Sequence, residues 1–242
     1  MSRLLSCKTF ALTLGLVALA SVAGADIRGT GYTITASNAD GSASYSIPAP
    51  TSHEAYWGWT TTERIEMRDP LSGNLVATLN PNNEGCNVHY VEDPVVALGF
   101  AVQAGAAPTL FMISSGTLAF APIPAAEARS SGSYTLTDIT GDGATLTPLG
   151  AKSYHSLYNG PTVFSDLVSG FASPAFTSTP ASESLPAGPG FIPIGPAVDM
   201  RAEIDFVLSP FDLASGTTVY VIQQRPTPVI DATWSRIKSL TQ

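Results

Sequence analysis

The sequence predicts an all-β protein, an antiparallel β-sandwich or jelly roll with few short helices. Three observations support this class: apolar and polar residues alternate with a period of two, turn-forming residues separate most of these segments, and no amphipathic helical pattern reaches three turns. Of the 242 residues, 44% are hydrophobic and only 12% are charged. A disordered chain has the opposite composition, so a compact globular domain is expected.

The first 25 residues have the features of a secretory signal peptide, beginning with the basic residues Arg3 and Lys8. An apolar run over residues 10–20 is too short to span a bilayer, and Ala23-Gly24-Ala25 provides the small residues that signal peptidase requires. We therefore predict cleavage before Asp26, a secreted (extracellular or periplasmic) protein, and no membrane span afterwards. Losing two basic residues takes the formal net charge from −8 to about −10, which disfavours nucleic acid as a partner.

The remaining chain contains two kinds of predicted strand. Strands with one buried face, in which apolar and polar side chains alternate, are expected at residues 42–47, 63–68 and 75–79. Strands that are apolar on both faces, as in a sandwich interior, are expected at residues 95–102, 110–113, 204–208 and 219–222. Cys86 is the single cysteine after cleavage, so we expect a buried thiol and no internal disulfide.

The pattern also predicts where the sandwich is interrupted. Short helical turns are candidates at residues 124–129, 154–158 and 163–168. Residues 178–197 are rich in proline and glycine, and because proline removes ladder donors we expect a loop there. The chain is thus divided into a signal peptide (1–25), one β-sandwich domain (26–225) that includes this loop, and a C-terminal tail (226–242).

One segment resembles the beginning of a calcium-binding loop. Asp138, Thr140 and Asp142 present oxygen atoms at alternate positions, and Gly143 follows where such loops require glycine. Threonine is a poor ligand, and Leu149 stands where a bidentate glutamate is expected. The interpretation we favour is a β-hairpin turn joining residues 133–137 to 144–149, with weak calcium binding as the alternative and no other cofactor expected.

An aromatic group, Tyr56-Trp57-Gly58-Trp59, is a candidate carbohydrate-binding surface. Trp57 and Trp59 share one face of an extended segment, where exposed indole rings would stack on sugars. Because tryptophan is largely buried on average, we favour a core position for that face.

Catalytic motifs are missing from the sequence. It contains neither G-x-S-x-G nor H-E-x-x-H, and Cys86 and His89 fall on opposite faces of a strand, where they cannot easily share a metal ion. His155 lies near Ser153 and Ser156, as happens by chance in a serine-rich chain, while the carboxylates of Asp199, Glu203 and Asp205 suit glycoside hydrolysis only if buried. We predict no catalytic residues.

Two stretches carry a family resemblance, DPVVALGFAVQAG at residues 93–105 and LTDITGDGATL at residues 136–146. They resemble secreted bacterial proteins of the PEP-CTERM class, which accompany exosortase systems. The resemblance implies a Ser/Thr-rich, lysine-poor β-sandwich associated with the envelope or extracellular matrix, and it implies no catalytic residues. The chain departs from the family at its C-terminus, where residues 225–242 lack the Pro-Glu-Pro sequence, apolar helix and basic tail of the sorting signal.

Together these features predict a non-enzymatic, secreted protein with a structural or adhesive role, whose partners are polysaccharide or other envelope and matrix components. The alternatives are a carbohydrate-binding module that uses Tyr56, Trp57 and Trp59, and a hydrolase with an active site assembled from distant residues.

Overall fold

A computed structural model describes residues 25–51 and 56–226. These residues form 15 antiparallel strands and no helix, which confirms the all-β prediction. Among them, therefore, no helix suited to crossing a membrane is found. All of the predicted signal peptide except Ala25, and all of the predicted tail except Pro226, lie outside the described residues. The strands are β1 (Asp26–Asn38), β2 (Gly41–Pro48), β3 (Tyr56–Thr61), β4 (Ile65–Arg68), β5 (Leu75–Leu79), β6 (Cys86–Val91), β7 (Val95–Ala104), β8 (Thr109–Thr137), β9 (Ala144–Thr147), β10 (Tyr154–Tyr158), β11 (Thr162–Leu167), β12 (Phe171–Ser173), β13 (Ser178–Leu185), β14 (Ile192–Leu208) and β15 (Leu213–Gln224).

The strands pack as two layers that share one long strand. In the first layer the order is β2-β1-β8-β14-β10-β11, and β9 and β12 extend it beside the end of β14. In the second layer the order is β13-β8-β15-β7. Beyond β7 this layer has two branches: β6 pairs with β7 and with β3, whereas β5 pairs with β7 and with β4. The 29-residue strand β8 belongs to both: residues 110–119 pair with β1, and residues 130–137 pair with β13.

The core lies between the two layers and is rich in aromatic residues. Phe111 and Phe206 from the first layer meet Phe100 and Tyr134 from the second, with ring centroids 5.1 to 6.5 Å apart. Gly216 makes this packing possible, because a Cβ atom there would lie 2.5 Å from the Tyr134 ring and 2.9 Å from the Phe100 ring. Cys86 is buried and free, as predicted.

A buried tyrosine repairs an irregularity between β1 and β8. The pairing register of these strands shifts between residues 28 and 32, which leaves backbone groups of Gly31 and Gly116 without ladder partners. The Tyr90 hydroxyl donates to the Gly31 carbonyl over 2.5 Å and accepts from the Gly116 amide over 2.6 Å. One side chain from β6 therefore provides hydrogen-bond partners for both backbone groups at the bulge.

The structure corrects the predicted helices and the predicted loop. The three candidate helical segments, residues 124–129, 154–158 and 163–168, lie almost entirely in strands β8, β10 and β11. Most of residues 178–197 also forms strands, because proline is tolerated on an edge strand or at a bulge. Pro180 lies in β13, which among the described strands pairs only with β8, and Pro193 lies in β14 beside a register shift.

Candidate functional site

The outer side of the second layer gathers uncharged hydroxyl groups. Successive side chains of a strand point to opposite faces, so the buried Tyr134 and Leu136 leave their neighbours in β8 facing outward. Ser133 pairs with Ser182 of β13 on one side and Thr217 of β15 on the other. The same alternation in three strands creates the surface that we call the hydroxyl face: Ser131, Ser133, Thr135, Ser182, Ser184, Ser215 and Thr217.

Two adjoining grooves run along the hydroxyl face. The larger has a volume of about 610 Å³ and the smaller about 300 Å³, and both are lined by Ser133 and Thr217. Arg129 and Glu183 line the larger groove, and Glu84 lines the smaller one. The surface is thus continuous and mostly uncharged.

The hydroxyl groups of this face are available to a ligand. Each serine or threonine hydroxyl has one donor and two acceptor sites. Within the described part of the chain, none of the seven takes part in a side-chain hydrogen bond, whereas Thr137 and Ser178, just beyond the face, bond to each other over 2.7 Å. Ser133, Ser182 and Thr217 are exposed to solvent, and the others are half-buried.

An ion pair borders the larger groove. Lys152 Nζ lies 2.6 Å from a carboxylate oxygen of Glu183, whose other oxygen accepts the Ser169 amide over 3.1 Å. Burial acts to raise the pKa of Glu183, but hydrogen bonds from Lys152 and the Ser169 amide outweigh it, so the pKa lies below its usual value. Glu183 therefore stays ionised and fixes β13 against the segment between β11 and β12.

The predicted aromatic group is divided between two faces. Trp57 and Trp59 point inward and are half-buried, with Trp57 5.6 Å from the Tyr90 ring and Trp59 5.5 Å from the Tyr32 ring. Tyr56 points outward, 54% exposed, and stacks on His89 with its hydroxyl 2.5 Å from Nδ1. A single sugar platform built from Tyr56, Trp57 and Trp59 is therefore not formed, since neighbouring strand residues alternate in direction.

The histidine and serines suggested for hydrolysis do not meet. His155 lies between two carboxylates, with Nδ1 2.7 Å from Asp166 and Nε2 3.2 Å from Asp205. Ser156 points to the opposite face, where its hydroxyl bonds to Ser165 over 2.6 Å, and the Ser153 hydroxyl donates to a backbone carbonyl. A serine nucleophile beside this imidazole is therefore not assembled.

The carboxylates suggested for glycoside hydrolysis have structural partners instead. Asp199 accepts the backbone amide of Gly160 over 2.9 Å, and Glu203 pairs with Arg201 over 2.8 Å. Asp205, besides contacting His155, accepts the backbone amide of Leu149 over 3.2 Å. All three are half-buried rather than enclosed. Likewise Cys86 points into the core while His89 points outward, as predicted.

The loop that contains Asp138 and Asp142 is not the hairpin turn that the sequence favoured. Residues 133–137 pair with β13 and β15, whereas β9 pairs with β12 and β14, so the segments on either side of the loop belong to different pairings. Asp138 connects the loop to a distant turn. Its carboxylate accepts the backbone amides of Gly141, Gly143 and Phe176 over 2.7, 2.6 and 2.9 Å.

A third carboxylate joins this loop in space. Carboxylate oxygens of Asp138, Asp142 and Asp212 all lie within 4.8 Å of one another. Thr140, the other predicted ligand, donates its hydroxyl to Asp142. Sequence reasoning missed Asp212 because it follows β14, about 70 residues further along the chain, and no local pattern connects the two segments.

Comparison with known proteins identifies no family. Neither a family model nor a curated protein matches the chain. Among solved structures, the enzymatically active domain of tailspike protein 4 from bacteriophage CBA120 matches with 14% identity and a TM-score of 0.32, over 79% of this chain and 19% of that one. A structure of infectious bursal disease virus strain Gx matches with 11% identity and a TM-score of 0.31, over 81% of this chain and 57% of that one. The chain thus spans less than two thirds of either, and TM-scores this low bear on neither fold nor function.

Proposed function

We propose that the protein is a non-enzymatic, secreted β-sandwich with an adhesive or structural role in a bacterial envelope or matrix, and that its hydroxyl face binds a neutral polysaccharide. The observation that carries the proposal is the set of seven hydroxyl groups on one continuous surface, none of which has a side-chain hydrogen bond within the described residues. The N-terminal leader features and the resemblance to PEP-CTERM proteins support the location.

The chemistry of this face suits sugar rather than protein or nucleic acid. A sugar ring presents hydroxyl groups that both donate and accept, and serine and threonine match them without introducing charge. Each hydrogen bond contributes about 0.5–1.5 kcal/mol, so useful affinity requires several bonds along an extended chain. The two grooves meet at Ser133 and Thr217 and offer such a length.

The same layer continues toward an exposed aromatic ring. Thr217 pairs with Gly99 of β7, and Gly99 pairs with Asn87 of β6. Asn87 in turn pairs with Thr60 of β3. Gly99 has no side chain projecting from this surface, and a Cβ atom there would collide with the Asn87 side-chain amide. Tyr56 lies outward on β3, where its ring can stack on a sugar bound along the layer.

Removing one row of hydroxyl groups tests the proposal. The triple variant S133A/S182A/T217V deletes three neighbouring hydroxyls and little volume, and we expect at least tenfold weaker retention on a neutral polysaccharide that binds the wild type. Candidate polysaccharides are first screened on a glycan array with the wild-type protein. Far-UV circular dichroism confirms that the variant is folded.

A matched control changes the same residue types elsewhere. The variant S44A/S46A/T35V removes two serine hydroxyls and one threonine hydroxyl from the paired strands β1 and β2 of the first layer. It should bind like the wild type. Absence of wild-type binding to every neutral glycan, or equal binding by the S133A/S182A/T217V variant, would refute the assignment.

A further inference from the structure

We propose that Asp138, Asp142 and Asp212 bind one divalent cation of the calcium type at an end of the sandwich. The site joins the loop after β8 to the turn between β14 and β15. It also reaches the turn before β13, because Asp138 accepts the Phe176 amide. A cation here would link these three loops, which have no strand pairing with one another. The proposal does not depend on the hydroxyl face.

The distances suit a shared ion. One carboxylate oxygen from each of the three residues lies within 4.8 Å of the other two. Two ligands on opposite sides of a calcium ion are separated by roughly 4.6–5.2 Å, since calcium–oxygen distances are about 2.3–2.6 Å. The three oxygens are therefore close enough to share one ion after small adjustments of their side chains.

An unpartnered, buried oxygen points to the ligand independently of the clustering. Asp212 is only 1% exposed. Its Oδ2 accepts the Ser209 hydroxyl over 2.5 Å, but its Oδ1 is buried and has no hydrogen-bond partner among the described residues. Leaving a buried charged acceptor unsatisfied is costly, and such groups in native proteins generally have a partner, often an ion. A cation next to Oδ1 supplies the missing interaction.

The charges around Asp212 lead to the same conclusion. Among the described residues, none of the three carboxylates forms an ion pair with Lys, Arg or His. The cluster therefore has uncompensated negative charge, which a divalent cation neutralises.

The donor atoms select the kind of ion. All three side chains offer oxygen, which calcium and magnesium prefer, whereas zinc prefers nitrogen and sulfur. Calcium takes six to eight oxygen ligands in flexible geometry, so backbone carbonyls and water can complete the shell. Both oxygens of Asp138 already accept backbone amides, which leaves Asp142 and Asp212 as the principal charged ligands. Compared with the sequence prediction, Asp212 takes the place of Thr140.

Thermal unfolding with calcium alone tests the site. With 10 mM CaCl₂, compared with EDTA at matched ionic strength, we expect the wild-type Tm to rise by about 3–6 °C for a millimolar site. D142N and D212N should abolish the rise. In EDTA, D212N should melt at or above the wild-type temperature, because the substitution removes a buried charge that lacks a counter-ion.

The control variant is D93N, which changes an exposed aspartate in the turn between β6 and β7 and should keep the full rise. Calorimetric titration of the wild type with CaCl₂ provides a direct measure of binding. An unchanged wild-type Tm, or a rise retained by both D142N and D212N, would overturn the proposal. If D212N fails to fold, the D142N variant is the test, because Asp142 is exposed. Loss of the calcium-induced rise in Tm in D142N supports the site, and retention of that rise refutes it.

Discussion

Tyr90 and Tyr220 are both buried tyrosines, but their hydroxyl groups should contribute to stability with opposite signs. The Tyr90 hydroxyl serves the Gly31 carbonyl and the Gly116 amide at the bulge between β1 and β8. The Tyr220 hydroxyl is buried and has no hydrogen-bond partner in the described part of the chain. Replacing each by phenylalanine removes one oxygen atom and leaves the ring, so the pair isolates the role of the hydrogen bonds.

The expected magnitude for Y90F follows from the two groups that lose their partner. A buried backbone group left unsatisfied costs about 1–3 kcal/mol, and partial relaxation of the bulge reduces the combined loss to about 2–4 kcal/mol. For a domain of this size that corresponds to a Tm lower by about 5–15 °C. Y220F removes a desolvated hydroxyl that bonds to nothing, so its free energy of unfolding should be unchanged or higher by up to about 1 kcal/mol.

Urea unfolding followed by tryptophan fluorescence measures both variants, because Trp57 packs against Tyr90 and reports on this region. The midpoint should fall for Y90F without a change in slope, which would indicate altered stability rather than an altered denatured state. The reasoning is refuted if Y90F lies within about 0.5 kcal/mol of the wild type or if Y220F is equally destabilising.

Three further contacts can be tested by substitution. G216A should lower the free energy of unfolding by about 1–3 kcal/mol, because the added methyl group meets the Tyr134 ring and a backbone carbonyl, whereas G188A, with open space around it, should be neutral in urea titrations. Backbone amides hold the pKa of Asp69 at about 2, below its unfolded value, so its stabilising effect is present above about pH 4 and lost toward pH 2. D69N should therefore melt below the wild type at pH 7, with a gap that closes as the pH falls from 4 to 2. K152M should cost about 1 kcal/mol, and 0.5 M NaCl should reduce the difference in Tm.

Alternation predicts the strands well where one face is buried. Residues 42–47, predicted from alternation, lie within β2, and residues 95–102, predicted to be apolar on both faces, lie within β7. Both strands extend only slightly further, and Cys86 is buried as expected. The pattern does not identify residues 154–158 as a strand, because five residues cannot distinguish the two periodicities. The segment owes its conformation to β11 and β14 on either side. The prolines of residues 178–197 likewise depend on an edge and on bulges that only the topology creates.

The candidate sites likewise combine residues that the local sequence identifies with residues that only the fold brings together. Asp138 and Asp142 stand out in the sequence, but Asp212 is brought to them by the turn between β14 and β15, which no spacing rule connects to a loop so far away. The hydroxyl face draws on three strands, β8, β13 and β15, that are distant from one another in the sequence. A Ser/Thr-rich composition shows that such groups are abundant, whereas only the strand register places them in one row.

The position of β15 has a consequence for when the protein can fold. This last described strand lies in the middle of the second layer, between β8 and β7, and β8 itself links both layers. The second layer therefore cannot close until almost the whole described chain is available, and pairings this distant in sequence form slowly. For a protein secreted as we propose, slow closure of the second layer favours export before folding is complete.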